Sequence, residues 1–479
     1  MVRPSVVIVG AGISGLSAAW ELSGAKRGPN EHTARIEIIE SAPRVGGTLA
    51  TTQFAGRSVD LGADGFLARR PEALELVREL GLDDQLEAID ASGAWIYLRD
   101  ALYELPSGLV LGVPTNVRDL KGLKGLSRGA RWHLRRDQWL PRRLLVGEDA
   151  SIGEIVRTKL GDELSYQFIE PMIGGIQAGR IDELSARSVF PALLNAARQG
   201  GSLTKSLRSA GPVNPGPASP RVLSAPLFLT LVDGVGSLAT ALEQRLKERG
   251  VVVRTGVGVS ALRRTPAGTY PWEVDTPTTT TPANAVIMAA PANVAGRLLG
   301  VHAGALRTLE DVEFAGASMV TFCLASEDVT LPARGTGVLV PLATRWAHDD
   351  TMMVTAITLL DRKWPHLRRN GEVLLRAHVG RVDDERANEL DDQELTLRVA
   401  DELRVLLGQF GPRRASLVQR WPHALPQYHV GHEQLVADAR KASAELRVAL
   451  AGMAYDGVGI PASIGSGRRA ARDVQSMLA

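Results

Sequence analysis

Val6-Val-Ile-Val-Gly10-Ala-Gly12-Ile-Ser-Gly15-Leu-Ser-Ala-Ala19 is the stretch that decides the fold. An apolar β-run enters three glycines at GxGxxG spacing, and small residues open a helix behind them. Gly10 allows the tight turn, Gly12 lets backbone N–H groups approach a pyrophosphate, and Gly15 lets the helix lie close to the strand. Glycines also gather in ordinary loops, so the spacing alone says little. A second strand, Ile36-Glu-Ile-Ile-Glu40, ends in a carboxylate 25 residues after Gly15. An acid there pairs with the two ribose hydroxyls and repels a 2′-phosphate. The context predicts a dinucleotide held by Gly10, Ala11, Gly12, Ile13, Ser14, Gly15 and Glu40.

The following residues predict which dinucleotide. Ser41-Ala-Pro-Arg44-Val-Gly46-Gly47-Thr48 comes directly after the acid, and Asp60-Leu-Gly62-Ala63-Asp64-Gly65 soon after that. A nicotinamide site needs neither the second glycine pair nor the arginine. Extended FAD needs both, because more backbone passes close to it and an arginine can meet its phosphates. Ser41, Arg44, Gly47, Thr48, Gly62, Ala63, Asp64 and Gly65 therefore join the predicted cofactor contacts. The pattern of GxGxxG, acid, R-x-G-G and D-x-G resembles the flavin-containing amine oxidase and protoporphyrinogen oxidase superfamily.

Bulk properties agree with such an enzyme. At 479 residues the chain exceeds what one hydrophobic core usually serves. Its apolar share of 44% and charged share of 23% are those of a globular protein. A net charge of +2 makes no case for nucleic acid. Cys323 is the only cysteine, which rules out an internal disulfide or a cysteine-based metal site and fits a reducing cytoplasm. Its apolar surroundings, Met319-Val-Thr-Phe-Cys323-Leu, predict a small buried hydrophobe. The apolar start reads as the nucleotide-binding strand and not as a signal peptide. Runs such as Ala285 to Ala295 fall short of the roughly 18 residues that span a bilayer.

Charge is spread unevenly. The segment from Arg118 to Arg143 carries +7 and leaves −5 for the rest, with Trp132 and Trp139 interleaved among its basic residues. It reads as a solvated loop and helix. The alternative is peripheral contact with an anionic membrane, or attraction of a polyanionic substrate.

The order of elements predicts an α/β chain with α+β parts. A discontinuous Rossmann-like FAD-binding domain takes residues 1–70, 227–292 and 425–479. A mostly helical region fills 71–208, with Pro71-Glu-Ala-Leu-Glu-Leu-Val-Arg-Glu-Leu80 as an amphipathic helix capped by Gly81. Five prolines and two glycines make 209–226 a mobile loop. Residues 293–424 form a substrate-binding sheet domain, with alternation such as Thr351-Met-Met-Val-Thr-Ala-Ile-Thr358. Val251-Val-Val-Arg-Thr-Gly-Val-Gly-Val259 returns beside the first sheet and brings Val259 to the adenine. Leu446-Arg-Val-Ala-Leu-Ala-Gly452 leads through Gly457-Val458-Gly459-Ile460 into a last helix from about Ser463. The N–H groups of that turn suit the flavin's pyrimidine edge, which gains negative charge on reduction.

Motifs outside the nucleotide site narrow the resemblance. Pro171-Met-Ile-Gly174-Gly175-Ile176-Gln177-Ala178-Gly179, followed by Leu184-Ser185 and Phe190-Pro191, is similar to a stretch of protoporphyrinogen-type oxidases. So are Arg420-Trp421, Pro426-Gln427-Tyr428-His-Val-Gly431-His432 and Gly457-Val-Gly-Ile-Pro461. Lys363-Trp364-Pro365-His366 and Gln427 to His432 look most like the bacterial coproporphyrinogen III oxidases. Gln177 departs from the usual Tyr, and Ser463 from a common Cys. Ala94-Trp95 lacks the nearby arginine of the protoporphyrinogen branch.

The resemblance implies oxygen-dependent, six-electron oxidation of a porphyrinogen, with FAD accepting hydride and oxygen leaving as peroxide. It adds Trp421, Val458, Gly459 and Ile460 to the cofactor contacts, and Gly175 and Ile176 to the apolar wall near the substrate. Arg70 matches a basic position of the coproporphyrinogen branch and is the candidate partner of a propionate; a surface arginine at a helix start is the other reading. No side-chain base or metal is expected: the nine histidines show no metal spacing, and no Ser-His-Asp set or carboxylate pair stands out. Protoporphyrinogen oxidation is the nearest alternative. An amine oxidase would place a lysine and an aromatic cage by the flavin, where this chain offers only Tyr455. A non-enzymatic prenyl-protein escort would bind no FAD. The place of the product in haem synthesis implies transient contact with a ferrochelatase.

Overall fold

The computed structural model describes residues 3–24, 34–91, 93–106, 108–115, 125–139, 144, 146–209, 226–265, 269–346 and 350–479. Residues 210–225 of the proline-rich segment, and 116–124 and 140–143 of the basic one, lie outside them. The chain divides into two compact units.

The first unit comprises Met1–Glu87, Phe228–Glu313 and Glu433–Ala479. Its centre is a five-stranded parallel sheet in the order Val252–Arg254, Arg35–Ile39, Ser5–Val9, Ala285–Met288, Val448–Leu450. Ile8 sits opposite Ile38 on one side and Ile287 on the other. A central strand of a parallel sheet is covered on both faces, which explains the unbroken apolar run; Val6, Val7 and Ile8 are fully buried. The returning strands therefore join the sheet begun by the first glycine turn. Helices Ile13–Leu22, Pro71–Leu80, Ser237–Glu248 and Ile460–Leu478 belong to the same unit. Gly81 closes the second of these in a left-handed conformation, φ 71°, as its sequence predicts. The last begins at Ile460 and not near Ser463, because Pro461 in its first turn suits a helix start.

The second unit comprises Ala88–Leu227 and Phe314–His432. A seven-stranded mixed sheet runs Arg413–Pro426, Phe314–Ala325, Glu372–Val379, Val354–Leu359, Gly337–Leu339, Trp95–Leu98, Ala101–Glu104. Its last two strands come from the region expected to be mostly helical. Trp95-Ile-Tyr-Leu is rich in strand formers, and a parallel partner at Gly337–Leu339 pairs with it. That region is helical from Arg128 onward, in Arg128–Trp139, Ile152–Leu160, Glu170–Gln177, Pro191–Gln199 and Leu203–Ser209. Helix Asp392–Leu407 starts with a capping box between Asp391 and Glu394. It packs Val399, Leu403 and Leu406 into a core with Phe322, Leu375 and Ile357. Cys323 is buried in this sheet as expected.

Candidate functional site

Three glycine turns lie in the first unit. Gly10 (φ 104°) bends the chain after Val9, and a Cβ added there would meet the Ala289 oxygen at 2.8 Å. Gly12 ends the turn as N-cap of helix Ile13–Leu22, without a side-chain cap, and a Cβ there would meet nothing within 4 Å. Gly15 is pressed against the strand, since its Cβ would stand 2.0 Å from the Gly10 oxygen. The helix N-terminus thus faces open space with unshared N–H groups, the arrangement that receives an anion.

The second turn is fastened to the first. Gly46 N–H donates to the Ala11 oxygen at 2.8 Å, and Gly46 (φ 99°) and Gly47 (φ 60°) both need left-handed backbone. Arg44 does more local work than its sequence suggests: its guanidinium donates to the carbonyls of Val45 at 3.0 Å and Gly47 at 2.7 Å, bracing this turn. Ser41 is exposed and Thr48 half-buried on the same segment. Glu40 bridges the loops by accepting from the N–H groups of Ala11 and Ala42, both at 2.7 Å. A carboxylate has about four acceptor positions, so ribose hydroxyls can still reach it. Opposite, Val257 N–H donates to the Glu40 backbone carbonyl at 2.9 Å and Gly256 N–H to the Ala42 carbonyl at 2.8 Å. This lays the loop ending at Val259 along the acid. Asp60 accepts from Thr51 Oγ1 at 2.5 Å, and Leu61 N–H donates to Ala50 at 2.7 Å, fixing the start of Gly62-Ala63-Asp64-Gly65.

The third turn runs from Gly452 to Ile460. Gly459 (φ 102°) is an uncapped N-cap whose Cβ would meet nothing within 4 Å. The turn is held by a network the sequence reading missed. Asp456 bonds Arg440 Nη2 at 2.6 Å, Arg469 Nη2 at 2.9 Å and the Ser466 hydroxyl. Burial opposes ionisation of Asp456, yet the bonds from Arg469 and Ser466 and the charge of Arg440 hold it below the usual range. Buried Tyr455 has its phenol pushed up by desolvation, and its hydroxyl has no partner among the described residues. Gly467 brings the last helix onto the first, with a Cβ position 2.0 Å from the Ser14 oxygen. Two open helix starts, an acid on the neighbouring loop and an unbonded phenol fit an extended dinucleotide.

The remaining predicted residues are elsewhere. Arg70, in the first unit, is 51% exposed and paired with Glu72 at 3.1 Å. Gly175, Ile176 and Trp421 belong to the second unit. There the motif stretches meet one another. Gly179 leaves room for Gln427, whose Oε1 would stand 2.0 Å from an added Cβ, and Gln427 Nε2 donates to the Gln177 oxygen at 2.9 Å. Asp149, absent from the predicted residues, gathers the rest. It accepts from Ser185 Oγ at 2.7 Å and from the N–H groups of Ala150, Arg187 and Gly431 at 2.8, 3.1 and 3.2 Å. Tyr428 stacks on His432, ring centroids 4.4 Å apart, so this histidine has a packing role.

A small cavity opens beside the motif, walled by Pro171, Gly174, Gly175, Gly179, Val340 and Leu342. Its polar groups include Glu170 and Arg381. Glu170 is buried and accepts from Ile181 N–H at 3.0 Å. Desolvation pushes its carboxyl up to about 7, against that bond and the charges of Arg381 and Arg180. No pattern marked Glu170 in advance, since one glutamate on an apolar helix carries no spacing signal.

A parallel sheet with glycine turns at two open helix starts and an acid at the end of its second strand is the arrangement of a dinucleotide-binding unit. The chain belongs to the flavin-containing amine oxidoreductase family, matching it over residues 13–475. Its cofactor is FAD. It is similar to the coproporphyrinogen III oxidase of Bacillus subtilis (strain 168), 31% identical and covering 99% of each chain. It is also similar to the protoporphyrinogen oxidase of Bos taurus, at 29% identity and 98% of each. A crystal structure from Exiguobacterium sp. 255-15 superposes with TM-score 0.86 at 28% identity, covering 99% of both chains. No helix among the described residues is long and apolar enough to cross a membrane.

Proposed function

We propose that this oxidoreductase converts coproporphyrinogen III to coproporphyrin III in haem biosynthesis, using oxygen and releasing hydrogen peroxide. The observation that carries the reading is likeness to a coproporphyrinogen III oxidase over 99% of both chains. When bound, FAD supplies hydride acceptance at N5 and passes electron pairs to oxygen. The protein's share is placement. The N–H groups at Gly12–Gly15 meet the pyrophosphate, and Glu40 and Val259 hold the adenosine end. Arg44, Gly47, Thr48, Ala63 and Asp64 shape the middle of the site. The helix start at Val458, Gly459 and Ile460 offers N–H groups where the reduced ring is negative. Trp421 lines a concave surface in the second unit, and Gly175 and Ile176 give the substrate a low, apolar wall. Arg70 is the surface cation proposed for one carboxylate.

Three further associations belong to this reading. The helix Arg128–Trp139 exposes Trp132 and Trp139, the latter by 81%, beside Arg128, Arg131, Arg135 and Arg136, which supports peripheral contact with an anionic membrane from a cytoplasmic location. Hand-over of the product supports transient contact with a ferrochelatase. Protoporphyrinogen IX is the competing substrate, favoured by the bovine relative. Turnover of the two porphyrinogens, followed by porphyrin fluorescence and peroxide yield, tests the reading. Higher kcat/KM for coproporphyrinogen III with about three peroxides per porphyrin, one for each two-electron step, is the expected result. Preference for the dicarboxylate, or oxidation without peroxide, overturns it.

A further inference from the structure

We propose that Arg381 receives one carboxylate of the substrate, at the head of the cavity beside Gly174 and Gly175. The inference rests on the porphyrinogen reading and names which group of that substrate this cavity takes.

The surrounding sequence sets Arg381 in place. Strand Glu372–Val379 ends at Gly380, whose φ of 94° turns the chain sharply. The next residues are fastened to the Gly174–Gly179 motif. Val382 N–H donates to the Ala178 oxygen at 2.9 Å, and Arg180 pairs with Asp383. Asp384 N–H donates back to the Arg381 oxygen at 3.2 Å, closing the turn. Arg381 and Gly380 line both the cavity at Gly175 and the concave surface at Trp421.

Most charges around it are matched, whereas among the described residues Arg381 has no ion pair and Glu385, at the rim, has none either. Asp383 pairs with Arg180, Asp384 with Arg386, Asp350 with Arg386 and Arg398, and Asp392 with Arg420. Among the described residues no carboxylate lies within ion-pair distance of the Arg381 guanidinium. Glu170 shares its cavity but holds its proton more strongly than an ordinary carboxyl and bonds Ile181 instead. Desolvation lowers the pKa of Arg381, as expected for a cation withdrawn from water without a full counter-charge.

Such a group favours an anion from outside, and a guanidinium's planar fork suits a carboxylate. The walls at Gly174, Gly175, Val340 and Leu342 carry no charge. The space beside Arg381 is that of a small polar group such as a carboxylate, not of a macrocycle. The two glycines keep that wall low.

The test uses FAD-loaded wild-type protein and the variants R381M and R381K. Affinity for coproporphyrin III is read by fluorescence titration, and kcat and KM with coproporphyrinogen III are measured separately. R381M is expected to weaken porphyrin binding and raise KM by about 10- to 100-fold, the worth of a lost charge-assisted hydrogen bond. Its kcat stays within a few-fold and its flavin content is unchanged, while R381K recovers part of the affinity. Binding by R381M within twofold of wild type overturns the assignment, as does a loss in kcat with KM unchanged. If R381M does not fold, E170Q/R381M, which removes both charges from the cavity, takes its place with the same two outcomes. Wild-type protein that neither binds coproporphyrin III nor oxidises its porphyrinogen overturns the porphyrinogen reading instead, and that result is visible before any variant is made.

Discussion

Two glycine-rich stretches, Gly10–Gly15 in the first unit and Gly174–Gly179 in the second, look alike in sequence and use glycine for opposite ends. At Gly12 an added Cβ meets nothing, and the first helix presents its N–H groups to that space. At Gly179 the same atom would stand 2.0 Å from Gln427, because the protein itself fills the space. Gly12 stands open, while Gly179 is closed by its own neighbours, and through Ala178 and Arg180 the second stretch holds the turn that carries Arg381. A glycine motif therefore has to be read with its surroundings before it is called a binding loop.

Substitutions can break or sharpen this contrast. The largest effect is expected at Gly467, a closed position inside the open unit. G467V drives carbon into the Ser14 carbonyl, and the expected loss is about 3 kcal/mol or more. Denaturant titration of purified protein checks it; wild-type stability would mean that the two helices part freely.

Glu170 comes next. Its folded pKa of about 7 lies above its ordinary value of 4.5, so the protonated form is the one the fold prefers. Stability from this group is fully present below pH 4.5 and is lost as pH rises through about 7. E170Q keeps an acceptor for Ile181 but has no proton to lose. Its stability relative to wild type should therefore increase between pH 4.5 and 8, by up to about 3 kcal/mol. Parallel urea curves at pH 5 and pH 8 give the difference, and a flat profile would remove Glu170 from the account of this cavity.

G179A should cost about 1–3 kcal/mol through its collision with Gln427. Combined with Q427A, which clears that space, it should cost about 1 kcal/mol less than the sum of the single changes. Strict additivity would show that the two motifs do not press on each other. The smallest stability effect is expected for G12A, within about 0.5 kcal/mol, since nothing is near its Cβ. FAD affinity should nevertheless fall by about tenfold or more, because the pyrophosphate approaches there. Flavin absorbance after gel filtration reads this out. Unchanged FAD content would place the cofactor's phosphates elsewhere.

The elements legible in the sequence were those with a local cause. The buried strand before Gly10, the helix behind Gly15, the cap at Gly81 and the strand at Val251–Arg254 follow from apolar runs and special backbone. The motif stretches were visible too, though what they do was not. Tyr428 and His432, quoted as part of one motif, stack on each other. Arg44, expected to meet the cofactor's phosphates, also braces its own turn. Asp149, Asp456, Glu170 and Arg381 gave no signal, since each acts on partners distant in the chain or through a change in solvation.

Taken alone, the order of residues determined that a parallel nucleotide-binding sheet would form, that its turns would open toward a dinucleotide, and that a separate sheet would follow. Periodicity and glycine placement act within a few residues of themselves, so they survive without knowledge of the rest. Tertiary structure alone decided that Trp95–Leu98 would extend the second sheet, that Asp149 would tie its own loop to Ser185, Arg187 and Gly431, and that Arg381 would stand without a carboxylate partner. Burial and charge balance are sums over residues from many parts of the chain, and only folding brings those residues together.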